Sequence, residues 1–128
     1  LSSAQVFANF KDTHVFIDQR NFFELESDGK PDPTALPKGY VCIPSHDPHD
    51  PERQGANAFQ NKPEDYVTEV LKKATGGRKD VGVIMCCKGG VRSKFASHWL
   101  IHSGWEGEII EVDDGFMGWK GNGLPVVK

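Results

Sequence analysis

The feature that most constrains the fold is an uninterrupted apolar run that leads into a glycine-bearing turn and a helical pattern. The run, Val81 to Cys86, has the length of one strand and no alternating polar residues. Such a strand is typical of the centre of a parallel sheet, where both faces are covered. The turn at 87–91 contains two glycines, and apolar residues recur at helical spacing from Arg92 to Ser103 before Gly104. This strand, turn and helix predict an α/β domain.

The rest of the chain repeats the alternation of strand and helix. Further strands are predicted at 14–17, 40–43 and 108–112, and further helices at about 3–10, 21–27 and 63–75. Because the strands are separated by helices, the sheet is predicted to be mainly parallel. Residues 45–62 have no periodicity and are interrupted by prolines, so we interpret them as a surface insertion. We expect residues 1–128 to form a single domain.

Size and composition exclude several classes of protein. A chain of 128 residues has room for one ordinary domain, and such a domain buries roughly two-thirds of its unfolded surface. No apolar run approaches the roughly 18 residues of a membrane span. The formal charge is -3, whereas proteins that bind nucleic acid through phosphates carry a positive excess. We therefore expect neither a membrane span nor a nucleic-acid partner.

The cysteine content predicts free thiols. The chain has three cysteines, an odd number, and is large enough to fold without disulfides. This favours a reduced intracellular compartment, in the cytoplasm or an organelle. Cys42 and Cys86 stand inside apolar runs, so we expect both to be buried. The chain begins at Leu1 rather than Met, from which we expect a trimmed amino terminus.

Cys87 is the predicted nucleophile. It stands at the carboxyl end of the apolar strand, where open α/β sheets bind their ligands. Backbone N–H groups of the turn and of the first helical turn should converge on its sulfur, favour the thiolate and lower its pKa. Lys88 and Arg92 add positive charge, while Gly89 and Gly90 let the backbone close tightly. The alternative is a buried cysteine before an ordinary turn.

The residues of this turn resemble a known family. The segment 87–93, Cys-Lys-Gly-Gly-Val-Arg-Ser, is similar to the active-site loop of rhodanese-family sulfurtransferases, with its pattern Cys-Arg/Lys-x-Gly-x-Arg-Ser/Thr. Other segments match family patterns in the same order along almost the whole chain. They are Phe16-Ile17-Asp18-Gln19-Arg20 with Glu24, Leu36-Pro37 through Ile43-Pro44, Gly104-Trp105, Asp114-Gly115-Phe116, Gly118-Trp119 and Gly123-Leu124-Pro125-Val126.

The resemblance implies a rhodanese-like α/β fold, with a mostly parallel five-stranded sheet and helices on both faces. It also implies sulfur transfer by double displacement. Cys87 would take the outer sulfur of thiosulfate or a related donor as a persulfide, and cyanide or a thiol would then accept it. Residues Lys88, Gly89, Gly90, Val91 and Arg92 would hold the anionic donor. No metal or organic cofactor is needed, and we expect a monomer or a dimer.

Two further residues are assigned to substrate binding. Asp18 and Arg20 end the neighbouring strand and are placed to reach the active site. The alternative is that Arg20 pairs with Glu24 while Asp18 caps local backbone. Trp105, Phe116 and Trp119 stand at packing positions of the family.

Histidines do not lead us to predict a metal site. His98 and His102 have the i, i+4 spacing of zinc ligands, but no third ligand is evident on that helix. The segment His46 to Glu52 resembles a metal site by composition, although its prolines leave no defined geometry. We interpret the first as a solvated or packed pair and the second as a charged flap.

Two other functions remain open. A protein-to-protein sulfur carrier would need the same persulfide, so the sequence does not separate it from a free-standing enzyme. Phosphatases and arsenate reductases related to this fold use Cys-x5-Arg, a loop one residue longer. Cys87 to Arg92 is Cys-x4-Arg, which favours sulfur over phosphate.

Overall fold

The centre of the fold is a sheet of parallel strands. The structure is a computed structural model, and it describes residues 1–45 and 63–128 of the chain. The strands of the described residues, in chain order, are β1 (Val15–Asp18), β2 (Lys30–Pro31), β3 (Tyr40–Cys42), β4 (Val83–Cys86), β5 (Ile109–Glu111) and β6 (Val126–Val127). Four of them form the central sheet in the order β3-β1-β4-β5, and all of its pairings are parallel. The apolar run that the sequence singles out becomes β4, in an interior position of that sheet.

Helices cover both faces of this sheet. They are α1 (Ser3–Phe10), α2 (Phe22–Asp28), α3 (Pro63–Lys73), α4 (Val91–His102) and α5 (Gly115–Gly121), with a short 3-10 turn at Pro33–Ala35. Side chains of β4 alternate between two buried clusters. Ile84 and Cys86 pack with residues of α1 and α5, whereas Val83 and Met85 pack with residues of α3 and α4. The predicted α/β fold with two helical layers is confirmed.

The number of central strands differs from the expectation of five. Within the described ranges the central sheet has four strands, and a separate antiparallel pair joins β2 to β6. Pro31 lacks a backbone N–H for a ladder, which fits a short pair outside the main sheet. The aromatic segment after Asp114 forms the helix α5, where the sequence suggested no regular element.

The register of the sheet determines what lies at its carboxyl edge. Asp18 of β1 is level with Cys42 on one side and Cys86 on the other. Cys87 therefore leaves the sheet beside the residues that follow β1. This edge brings together the ends of three parallel strands, as ligand sites of open α/β sheets require.

The predicted packing aromatics fill the core to different degrees. Phe116 and Trp119 are buried, and the indole N–H of Trp119 donates to the carbonyl oxygen of Pro125. Trp105 is half-buried and donates to the carbonyl oxygen of Val81. No helix within the described ranges is both long and apolar enough to cross a bilayer. Residues 46–62 of the predicted insertion lie outside the described residues.

Candidate active site

Cys87 lies in the turn between β4 and α4, with its side chain almost fully buried. Its Sγ accepts hydrogen bonds from the backbone N–H groups of Gly90, at 3.1 Å, and Ser93, at 3.4 Å. The Cys87 thiol donates to the hydroxyl oxygen of Ser93, with an Sγ–Oγ distance of 3.6 Å, and that hydroxyl donates to the carbonyl oxygen of Gly90. Converging N–H donors stabilise negative charge on a sulfur atom. The predicted cradle around Cys87 is present, and the nucleophilic role of Cys87 stays a prediction.

Gly90 makes the tight turn of this cradle. Its φ is +97°, in the left-handed region that favours glycine, and it is the N-cap residue of α4. A Cβ at Gly90 would also collide with the carbonyl oxygen of Asp113. Gly89 is different, because it has an ordinary φ and a Cβ there would meet no atom within 4 Å. The two neighbouring glycines therefore have different reasons to be in the loop.

The first residues of α5 donate hydrogen bonds to the backbone of the loop. The N–H of Phe116 donates to the carbonyl oxygen of Cys87 at 2.7 Å, and the N–H of Met117 donates to that of Lys88 at 3.2 Å. A Cβ at Gly115 would collide with the same Lys88 carbonyl. Sequence reasoning missed this contact. The available signal was the Asp-Gly turn directly before the aromatic residues.

Positive charge at the site comes from two residues in different settings. Lys88 is half-buried next to Cys87. Arg92 is 2% exposed, and its guanidinium forms a bidentate ion pair with Glu24, with N–O distances of 2.7 and 3.0 Å. Burial acts to lower the pKa of Arg92, but the hydrogen bonds and charge of Glu24 outweigh it, so this pKa lies above its usual value. The structure thus brings Arg92 to the loop and pairs its charge within the protein.

Asp18 and Arg20 form a second buried ion pair. Arg20 Nη2 donates to Asp18 Oδ2 at 2.8 Å, and Arg20 Nε contacts both carboxylate oxygens. Asp18 also accepts the backbone N–H of Arg20 and the hydroxyl of Tyr40, at 3.1 and 2.7 Å. The guanidinium carbon of Arg20 lies 3.8 Å from the centroid of the Phe116 ring.

The sequence left two interpretations of Asp18 and Arg20, substrate binding or local structural contacts. Asp18 caps local backbone, as the alternative proposed, while Arg20 pairs with Asp18 and Glu24 pairs with Arg92. Both side chains of the Asp18–Arg20 pair are fully buried. Their assignment to substrate binding stays a prediction. The contact of Asp18 with Tyr40 has no signal in the sequence pattern.

The other two cysteines make different hydrogen bonds from those of Cys87. The Cys42 thiol donates to the carbonyl oxygen of Arg20 at 3.1 Å, and the Cys86 thiol donates to that of Cys87 at 3.4 Å. Burial, followed by the charge of Asp18, raises the pKa of both thiols. Cys86 is fully buried as predicted. Cys42 is only half-buried, contrary to the prediction, and lies on β3, which is at the edge of the sheet formed by the described residues. All three cysteines are free.

The histidine candidates do not gather into a cluster of ligands. His98 and His102 are exposed on α4 with their ring centroids 6.4 Å apart. In the described part of the chain, no group of three or more His, Cys, Asp or Glu side chains has the geometry to hold a metal ion. The segment His46 to Glu52 lies outside the described residues.

A family assignment follows from the whole chain. The sequence model of the family described as "Rhodanese-like domain" matches residues 3–122. The chain belongs to the rhodanese-like domain family.

Solved structures of the same fold agree with this assignment. Rv0390 from M. tuberculosis is 21% identical with a TM-score of 0.74, and the match covers 99% of this chain and 95% of that one. The polysulfide-sulfur transferase homodimer of Wolinella succinogenes is 22% identical with a TM-score of 0.65, over 99% and 76% of the two chains. Thiosulfate sulfurtransferase from Pseudomonas aeruginosa is 19% identical with a TM-score of 0.64, over 99% of this chain and 19% of the other. At these identities the likeness establishes the rhodanese-like fold.

The two glycines of the loop provide a matched test of its construction. Gly90→Ala should lower the free energy of unfolding by about 2 kcal/mol, because the left-handed backbone and the Asp113 carbonyl both oppose a Cβ. Gly89→Ala should change it by less than about 0.5 kcal/mol. Urea unfolding of both variants measures the difference. Equal losses would show that the backbone of the loop is not constrained as described.

Proposed function

We propose that this protein moves a sulfane sulfur from thiosulfate, or a related anionic donor, to cyanide or a thiol through a persulfide on Cys87. Membership in the rhodanese-like family supports sulfur transfer as the general kind of activity. The single observation that carries the proposal to Cys87 is that its sulfur accepts two backbone N–H bonds. A sulfur held in this way is favoured as the anion, which is the nucleophilic form.

In the first half of the proposed reaction, the Cys87 thiolate attacks the outer sulfur of thiosulfate. A bond forms between Sγ and that sulfur, and the S–S bond of thiosulfate breaks with its electron pair leaving on sulfite. The Gly90 and Ser93 N–H groups hold Sγ in place as the thiolate before the attack. Fixed donors of this kind need no reorganisation during the reaction.

In the second half, the acceptor attacks the terminal sulfur of the persulfide. With cyanide, a C–S bond forms, the S–S bond of the persulfide breaks, and the electron pair returns to Sγ as the thiolate. With a thiolate acceptor, the product is a new persulfide on the acceptor. A sulfur-accepting protein would present that thiolate in the carrier alternative, and the chemistry at Cys87 would be the same.

The anionic donor is proposed to meet Lys88 and the N–H groups of the loop. Lys88 is half-buried and follows Cys87 directly, so the loop itself carries a cationic residue. Positive charge near a site raises the local concentration of an anionic substrate. The charge of Arg92 is already paired with Glu24.

Loop length favours sulfur over phosphate as the transferred group. A phosphoryl group needs several donors around three equatorial oxygens, whereas the outer sulfur of thiosulfate is a single atom approached end-on. The four residues between Cys87 and Arg92 make a loop one residue shorter than that of the related phosphatases. The N–H groups of Gly90 and Ser93 are directed at Cys87 Sγ itself. An activated aryl phosphate, assayed beside thiosulfate and cyanide, distinguishes the two activities.

Substitution of each cysteine tests the assignment of the nucleophile. Cys87→Ser should abolish thiocyanate formation from thiosulfate and cyanide, because serine lacks a nucleophilic thiolate at neutral pH. Cys42→Ser should retain most of the activity, and so should Cys86→Ser, since both native thiols donate to carbonyl oxygens. A Cys86→Ser protein that is folded but inactive would contradict the restriction to Cys87.

Replacement of Lys88 tests the binding of the anion. Lys88→Ala should raise the KM for thiosulfate about three- to five-fold, which corresponds to about 1 kcal/mol for a partly exposed charge contact. The dependence of this KM on ionic strength should also become weaker. Lys72→Ala, at an exposed lysine on α3, is the matched control. An unchanged KM in Lys88→Ala would mean that the backbone N–H groups bind the donor without help from this charge.

A further inference from the structure

We infer that Glu24 is a positioning residue for Cys87, which acts through Arg92 on the first turn of α4. The inference rests on the proposed function, in which Cys87 is the nucleophile. Arg92 is correspondingly a positioning residue, and its guanidinium is not the group that binds the donor.

The carboxylate of Glu24 joins the starts of two helices. Its Oε1 accepts the backbone N–H of Asn21 at 3.0 Å and the Asn21 side-chain amide at 3.2 Å, at the beginning of α2. The same carboxylate accepts hydrogen bonds from both terminal nitrogens of Arg92, at the beginning of α4. Glu24 is 6% exposed and Arg92 is 2% exposed, so solvent screens this contact little.

The contacts of Glu24 continue to the sulfur along the backbone of α4. Arg92 is directly followed by Ser93, whose N–H donates to Cys87 Sγ at 3.4 Å. Gly90, two residues before Arg92, supplies the second N–H. The 3.4 Å distance is ordinary for a sulfur acceptor, and both N–H donors lie within two residues of Arg92. The ion pair with Glu24 therefore fixes the part of α4 that presents donors to the nucleophile.

The buried geometry also explains why Arg92 is needed in this role. Two buried charges that are paired and bidentate are fixed in one arrangement, and removal of either leaves the other unpaired. A guanidinium already held by two carboxylate oxygens has less to offer an incoming anion. The cation that the sequence suggested as a ligand for the donor instead connects the catalytic loop to α2.

A test can separate positioning from direct electrostatics because the two predict opposite signs. Removal of Glu24 leaves the positive charge of Arg92 uncompensated near Cys87, and this alone would favour the thiolate at lower pH. Loss of the N–H donors would instead disfavour the thiolate and move its formation to higher pH. The pH dependence of Cys87 alkylation reports which effect dominates.

The experiment measures the alkylation rate of Cys87 by iodoacetamide from pH 5 to 10, a window of about five units around common thiol values. Iodoacetamide is uncharged, so charge at the donor site does not affect its approach. The variants are Glu24→Ala and the isosteric Glu24→Gln, and Glu26→Ala, at an exposed acid on the same helix, is the control. Alkylation at Cys87 is followed by mass spectrometry of the peptide that contains it, with fragment ions that separate Cys87 from the adjacent Cys86.

Glu24→Ala should move the midpoint of the profile upward and slow alkylation at pH 7 about ten-fold, equivalent to about one pKa unit. Glu24→Gln should show a smaller shift of the midpoint in the same direction. If Glu24→Ala does not fold, the midpoint of Glu24→Gln tests the inference. A profile equal to that of the unmodified protein, or a midpoint moved downward, would overturn the inference. Alkylation needs no sulfur donor, so a failure of the proposed sulfur transfer would be seen separately.

Discussion

The site depends on the hydrogen bonds that two backbone N–H groups donate to the sulfur of Cys87. Those donors converge because β4 ends at an interior position of the sheet and α4 begins four residues after Cys87. Gly90 allows the turn, while the N–H groups of Phe116 and Met117 fix the carbonyl oxygens on its other side. The loop is thus held through its backbone, and this leaves the N–H groups directed at the sulfur.

The same edge of the sheet keeps three thiols chemically distinct. Cys42, Asp18 and Cys86 lie level across three neighbouring strands. Burial, followed by the charge of the Asp18 carboxylate between them, raises the pKa of both thiols. Each of these thiols donates to a carbonyl oxygen, whereas the Cys87 thiol donates to the Ser93 hydroxyl and its sulfur also accepts two backbone N–H groups. A hydrogen bond to the neutral form and one to the charged form act in opposite directions on ionisation. Of the three thiols, Cys87 is the one whose sulfur accepts two backbone N–H groups, and for this reason we propose it as the nucleophile.

The sequence predicts the central strand, the position of Cys87 in the turn after it, the helix that follows and the two helical layers. Each of these has a periodic pattern or a turn signal of its own. The sequence does not predict α5, since the segment Gly115–Gly121 contains three glycines and is a poor helix former in isolation. The sequence does not predict the β2–β6 pair either, because strands of two residues are too short to show an alternation of apolar and polar side chains. Charge pairing was the least predictable part. Which carboxylate meets Arg20 and which meets Arg92 depends on the three-dimensional arrangement of β1, α2 and α4 rather than on spacing.

Intact mass spectrometry detects a persulfide on Cys87 as an added sulfur atom. The reduced protein would be treated with thiosulfate, or with 3-mercaptopyruvate as a second donor, and its mass recorded before and after addition of cyanide. We expect a gain of one sulfur atom that fragment ions place on Cys87 rather than Cys86, and that disappears with cyanide. No gain with either donor, or a gain that maps to Cys42 or another peptide, would contradict this expectation.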